Sequence, residues 1–221
     1  MNAIKSGQAT EIAYYNLACI ECRVGNMGLG LKYLEQSFIR GYIDYKHLDD
    51  DPVLEQARKM DQYKTLMQKY FSSKQKKICD LGLAAFEYFE NKDYKKAAKL
   101  FVKAGKAEEK MKQILPYRAL QFYRLASISY NRIGNLKKAV VYGEKTTKYA
   151  TQLDERTRLA SNLDDLGYFY SELGKYRKAI DRKKQALEIY YEKVDSLSIA
   201  RIAHNIGSYY LELAYKGAEW N

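Results

Sequence analysis

The sequence predicts an all-α fold, an α-α superhelix built as a right-handed solenoid of antiparallel helical hairpins. Three observations point there. Only two prolines interrupt 221 residues, and 47% apolar content with 22 tyrosines supplies the large side chains of a continuous core. A pattern of small residue, tyrosine and alanine returns after 42, 40 and 40 residues. Within each copy, large apolar residues fall at helical spacing, as at Leu163, Leu166, Tyr170 and Leu173.

Each copy is justified by what its marked residues must do. Ala85, Tyr88 and Ala97 mark the first, Ser127, Tyr130 and Ala139 the second, and Gly167, Tyr170 and Ala179 the third. A partial fourth begins at Ala200, with Gly207 and Tyr210 in phase. The small residue lets a second helix come close to the first, and the alanine does the same from the facing helix. Gly134 and Gly174 supply the left-handed conformation that ends a helix at a tight turn. One such hairpin cannot bury its own apolar face, so neighbours must stack.

These residues resemble the tetratricopeptide repeat family. Leu163, Leu166, Gly167, Tyr170, Gly174, Tyr176, Ala179 and Ala186 follow its pattern, with Lys183 where the second helix usually carries an aromatic. The period, longer than the family's usual length of about 34 residues, is similar to the kinesin light chain type of repeat. Leu17, Ala18, Gly25 and Gly30 form a more divergent copy, with Glu21 in place of the tyrosine.

The stretch from Asp44 to Tyr70 is similar to the extra helix that closes a repeat group in many bacterial members, which implies a bacterial source. Asp51 followed by Pro52 suits a helix start, a capping oxygen before the position that tolerates proline. The resemblance divides the chain into residues 1–74, a divergent hairpin plus a capping or insert helix, and residues 75–221, an array of about 3.5 repeats truncated at its C-terminus. The first helix is expected to begin near Ala3. The last copy stops at Trp220 and Asn221 before a second helix, the look of a piece of a longer protein.

Chemistry-bearing motifs are sparse. Cys19 and Cys22 form a C-x-x-C, but inside an expected helix with no strand before it, and only Cys79, His47 and His204 remain as scattered further ligands. Small buried or groove-lining thiols are the expected reading, with no metal and no cofactor. Three cysteines without a framework fit a reducing, cytoplasmic location. Asp49, Asp50 and Asp51 lack the alternating ligands and distal glutamate of a calcium loop, and helix capping accounts for them. No phosphate-binding, zinc-protease or nucleophile-elbow motif occurs, so no enzyme is expected. No signal peptide is expected from the opening residues, and no apolar run is long enough to span a membrane.

The formal charge of +11 is concentrated. Residues 1–70 and 151–221 are each balanced, whereas 71–150 hold 18 basic and 7 acidic residues. On an expected helix over 92–112, Lys92, Lys96, Lys99, Lys103, Lys106 and Lys110 align along one face. By the repeat phase this is a second helix, on the outer side in the resembling fold. A solvated face is the leading reading, and a nucleic-acid or anionic-surface site the alternative. The absence of interleaved aromatics disfavours nucleic acid.

The resemblance implies a concave groove lined by the first helices. Candidate residues there are Gln121, Arg124, Leu125, Ile128, Asn131, Ser161, Asp164, Asp165, Tyr168, Arg201, His204, Asn205 and Ser208. Asn16 and Asn205 fit a ligand-binding asparagine position, but Leu83, Leu125 and Asp165 occupy it in between, so the carboxylate clamp of some members is not reproduced. Such a mixture suits a peptide or a helix from a protein partner. The expected function is therefore a non-catalytic interaction scaffold for a protein or peptide partner, or for another domain of a longer parent chain. A regulatory sensor domain is a further alternative.

Overall fold

The computed structural model describes residues 10–218, and over them every regular element is helical. Helices α1 (Glu11–Arg23) and α2 (Met27–Ile39) form a first hairpin. A divergent stretch follows: α3 (Tyr45–Asp50), a 3-10 turn (Pro52–Leu54), α4 (Glu55–Arg58) and α5 (Asp61–Tyr70). Three longer hairpins then succeed one another: α6 (Ser73–Glu90) with α7 (Tyr94–Glu109), α8 (Pro116–Arg132) with α9 (Leu136–Gln152), and α10 (Arg156–Glu172) with α11 (Tyr176–Glu192). The last described helix, α12 (Ser196–Ala218), packs on α11. From α6 onward each helix packs on the next, as stacked hairpins require.

The hairpin turns reuse one geometry. A helix ends on a residue of positive φ, Gly25 (88°), Lys92 (61°), Gly134 (71°) or Gly174 (69°). In two of these turns the next residue caps the following helix, Asp93 accepting from the Lys96 N–H at 3.1 Å and Asn135 from the Lys138 N–H at 3.2 Å. Between hairpins, Asp154 (51°) and Val194 (55°) take the same conformation without being glycine.

The repeat positions do the packing expected of them. Ala85, Ala97, Ala126, Ala139 and Ala179 are fully buried. The Ser127 hydroxyl donates to the Ala139 carbonyl oxygen at 2.7 Å. A Cβ on Gly167 would lie 2.6 Å from the Lys183 side chain, so glycine there is a packing requirement. The repeat tyrosines have a shared role as well: Lys96 lies over Tyr88 (4.9 Å), Lys138 over Tyr130 (5.2 Å) and Lys178 over Tyr170 (5.8 Å).

One apolar cluster runs from Tyr15 through Phe38, Leu54 and Phe71 to Phe101 and Phe122, crossing residue 74 without a break. Gly41 (φ 97°) passes so close to α8 that a Cβ there would sit 3.3 Å from the Arg118 nitrogen. Arg118 is fully buried, 3.6 Å from Glu108, which also accepts the Leu115 N–H at 2.9 Å.

Two expectations are corrected. The expected helix start near Ala3, with Trp220 and Asn221, lies outside the described residues; within them the helix carrying Ala18 runs from Glu11, with the Thr10 hydroxyl accepting from the Ala13 N–H. The helix expected over 92–112 spans Tyr94–Glu109, because Lys92 occupies the left-handed turn. Several short helices, rather than one, fill residues 42–74, since the Asp51 carboxylate accepts from the Val53 N–H (2.9 Å) and starts only a 3-10 turn.

Candidate functional site

The first helices of successive hairpins, α8, α10 and α12, present the predicted groove residues in register. Arg124, Ser161, Asp165, Tyr168, Arg201 and His204 are exposed, and Gln121, Leu125, Ile128, Asn131, Asn205 and Ser208 are half-buried. Their spacing follows from the helical period, which returns residues three and four apart to one face.

Asp164 departs from expectation: it is buried and bonds inward. The cause is Lys183. With no Cβ on Gly167, the Lys183 stem lies across that position, and its side chain is 2% exposed. A charge so placed needs a partner. Asp164 accepts from the Lys183 ammonium and, through its other oxygen, from Arg201 at 2.7 Å. The aspartate therefore ties α10 to both α11 and α12.

Its neighbour Asp165 faces the other way. Among the described residues, neither Asp165 nor Arg124 makes a side-chain hydrogen bond or ion pair. Both are exposed to solvent, yet protein packs closely enough around them to desolvate them in part. That partial desolvation, reinforced by the adjacent Asp164 charge, pushes the Asp165 carboxyl up to about 6, against the pull of Arg124, Lys183 and Arg201. The same desolvation, together with Arg158, lowers the proton affinity of Arg124, while Asp165 and Glu11 oppose that shift. This surface thus offers one cation and one anion that are close enough to feel each other yet make no ion pair.

Several residues of the site gave no local signal in the sequence. Arg40, at the end of α2, reaches the Glu155 carboxylate before α10 at 2.9 Å, and the Tyr117 hydroxyl donates to the same oxygen at 2.8 Å. The Arg40 guanidinium lies over the rings of Tyr14 (5.6 Å) and Tyr117 (5.1 Å). Arg158 is 3.6 Å from Glu11. The first hairpin is thereby clasped against the starts of α8 and α10 and forms one wall beside Arg124.

The lysine stripe lies elsewhere. Lys96, Lys99, Lys103 and Lys106 project from α7 into solvent, Lys92 precedes it and Lys110 closes it, while Ala97, Phe101 and Ala104 on the other side are fully buried. Lys96 pairs with Asp93 at 3.0 Å. A hollow of about 730 Å³ between α2 and α5, lined by Leu29, Lys32, Glu35 and Leu66 among others, contains no candidate residue. Cys19 and Cys22 sit within α1 as free thiols, and burial pushes Cys19 up to about 11, opposite to what a reactive thiolate needs. Asp51 accepts from the Tyr15 hydroxyl, while Asp49 and Asp50 are exposed. No group of three or more side chains among the described residues is arranged to hold a metal ion, and no described helix is long and apolar enough to cross a membrane.

Residues 118–192, covering α8 to α11, match the tetratricopeptide repeat family model. Over these residues the chain is similar to tetratricopeptide repeats. A 66-residue stretch is 32% identical to a chloroplastic protein from Arabidopsis thaliana, covering 30% of this chain and 20% of that protein; the chain thus spans about a fifth of the length of that relative. Among solved structures, BtubC (BKLC) from P. vanneervenii aligns with a TM-score of 0.51 and 19% identity over 82% of this chain and 66% of that one. Kinesin light chain TPR-like repeats from Podosopora anserina align with a TM-score of 0.54 and 14% identity over 93% of this chain and 88% of that one. At such identities these structures share the fold, a tetratricopeptide-like helical solenoid. Repeats of this kind serve as protein-interaction scaffolds.

Proposed function

We propose that this chain is a non-catalytic interaction module whose groove, formed by α8, α10 and α12 and walled by the first hairpin, binds an extended segment of a partner protein or of another part of a longer parent chain. The observation that carries this reading is the uncommitted pair Arg124 and Asp165 on the groove floor. The charges around them are already engaged: Asp164 with Lys183 and Arg201, Arg158 with Glu11, Glu155 with Arg40. Two partly desolvated charges of opposite sign flanked by Tyr168 and Asn205 can take one carboxylate or carbonyl and one basic or amide group of a ligand. On this reading residues 75–221 are the binding array and residues 1–74 its end cap and wall.

The test is selection of peptides from a displayed library on the intact chain. Binders are expected to lose about tenfold or more in affinity on Arg124→Ala and on Asp165→Asn, as truncated interface anchors do. Binders indifferent to both substitutions would remove the groove from consideration.

A second reading rests on the stripe. Lys99, Lys103, Lys106 and Lys110 are exposed without a carboxylate partner among the described residues. Binding of RNA or anionic vesicles through them would weaken steeply with salt and vanish in the Lys99→Glu, Lys103→Glu double variant. A salt-independent result, or an unaffected double variant, reduces the stripe to a solvated face. A cytoplasmic setting and a role as sensor domain are compatible with the groove reading and add no residue to it.

A further inference from the structure

The face of α12 around Gly207 is apolar and, among the described residues, has no helix packed on it; only Lys184 of α11 reaches its edge, over the Tyr210 ring at 5.6 Å. On α10, Ala160, Leu163, Gly167, Tyr170 and Ser171 are all buried; 40 residues later on α12, Ala200, Ala203, Gly207, Tyr210 and Leu211 are all exposed. A Cβ on Gly207 would meet nothing within 4 Å, whereas one on Gly167 would meet Lys183. The exposure reaches beyond the small residues. Leu197 is 81% exposed, Leu211 60% and Tyr215 69%, and at roughly 100° per residue all three lie within about 80° of Gly207 around the helix. The other side of α12 is already used, with Ile202 fully buried against Ala160, Leu163, Ala186 and Ile189. A helix apolar on both sides is one that is covered on both sides.

What covers it follows from the three filled seats of the same interface. Sixteen residues after each small position stands a residue of the helix packed on it: Phe101 after Ala85, in one buried cluster, Gly143 after Ser127, and Lys183 after Gly167, so two of the three seats hold a long side chain. Alanines stand four before and three after Phe101 and Lys183, at Ala97 and Ala104 and at Ala179 and Ala186, all fully buried. Gly207 leaves space for a long side chain. The carboxylate that neutralises Lys183 has no equivalent on α12, where His204 and Asn205 replace Asp164 and Asp165. An aromatic, as at Phe101, meets that chemistry and a lysine does not.

We propose that this face of α12 is an interaction surface for a partner helix, amphipathic, with an aromatic side chain opposite Gly207 and alanines four positions before and three after it. Its docking continues the stack by one more helix and is independent of the groove reading.

The probe is a fluorescein-labelled peptide with the sequence of residues 92–110, which carries Ala97, Phe101 and Ala104, titrated with the 221-residue chain and followed by anisotropy. Saturable binding is expected, weakened about tenfold or more by Phe101→Ala in the peptide and by Gly207→Trp in the chain. Circular dichroism should show Gly207→Trp still folded. Absence of saturable binding, or binding indifferent to Gly207→Trp, overturns the proposal. So does self-association in sedimentation that Gly207→Trp abolishes without any peptide binding, which would give the face to a second copy of the chain.

Discussion

At the scale of single residues, adjacent aspartates have opposite fates because of what stands behind each. Asp164 is consumed by Lys183 and Arg201, and Asp165 is left with a raised proton affinity. A carboxyl that binds its proton more tightly in the folded chain than in the unfolded one contributes stability at low pH and loses it as pH rises through the folded value, here about 6. Asp165→Asn is therefore expected to raise Tm at pH 7.5, with the advantage closing as pH falls below about 4, where wild-type Asp165 is protonated in both states. Thermal melts of the two proteins at several pH values check it. Lys183→Met leaves Asp164 beside Asp165 with Arg201 alone, and is expected to cost about 3–5 kcal/mol. The double variant Lys183→Met, Asp164→Leu should recover much of that loss in urea denaturation, because the buried pair is then replaced by apolar groups.

At the scale of elements, the helices and their turns were largely legible. The 42- and 40-residue periods place α6 to α12, and Gly134 and Gly174 fall at turns of positive φ as the sequence indicates. Lys92, Asp154 and Val194 were not legible as turn residues, because nothing local distinguishes a lysine or valine forced into the left-handed region by the helices on either side. The same glycine means different things on α10 and α12. Gly167→Ala places a methyl against the Lys183 stem and is expected to destabilise by about 1–3 kcal/mol. Gly207→Ala meets open space and should stabilise by about 0.5–1 kcal/mol through helix propensity. Chemical denaturation of the two variants in parallel separates packing from propensity; equal effects would contradict the uncovered face.

At the scale of the whole molecule, the first hairpin is joined to the array by contacts that span more than a hundred residues. The Arg40 and Glu155 pair is mostly buried, at 15% and 13% side-chain exposure, and is reinforced by Tyr117 and two aromatic faces. An Arg40→Ala, Glu155→Ala double-mutant cycle is expected to give a coupling of about 0.5–3 kcal/mol, measured by denaturation. A value near zero would mean that the hairpin is held by the apolar cluster around Phe38 and Phe71 alone. The net charge of +11 has little part in this clasp: the densest lysines point outward from α7, and the exposed residues of α8, α10 and α12 are mixed in charge.

The sequence by itself determined the helical class, the repeat period, the helix pairs and which residues lie on first helices, because each of these depends on local spacing along one chain. It also exposed the oddity of Lys183 and the cluster of charge in residues 71–150. Only the tertiary structure decided which of two neighbouring aspartates stays exposed, that Arg40 and Glu11 reach the starts of α8 and α10, and that α12 is apolar on a side with no helix against it among the described residues. Those outcomes turn on burial and on partners far away in sequence, and the worth of a charge or a glycine is set by the group packed against it.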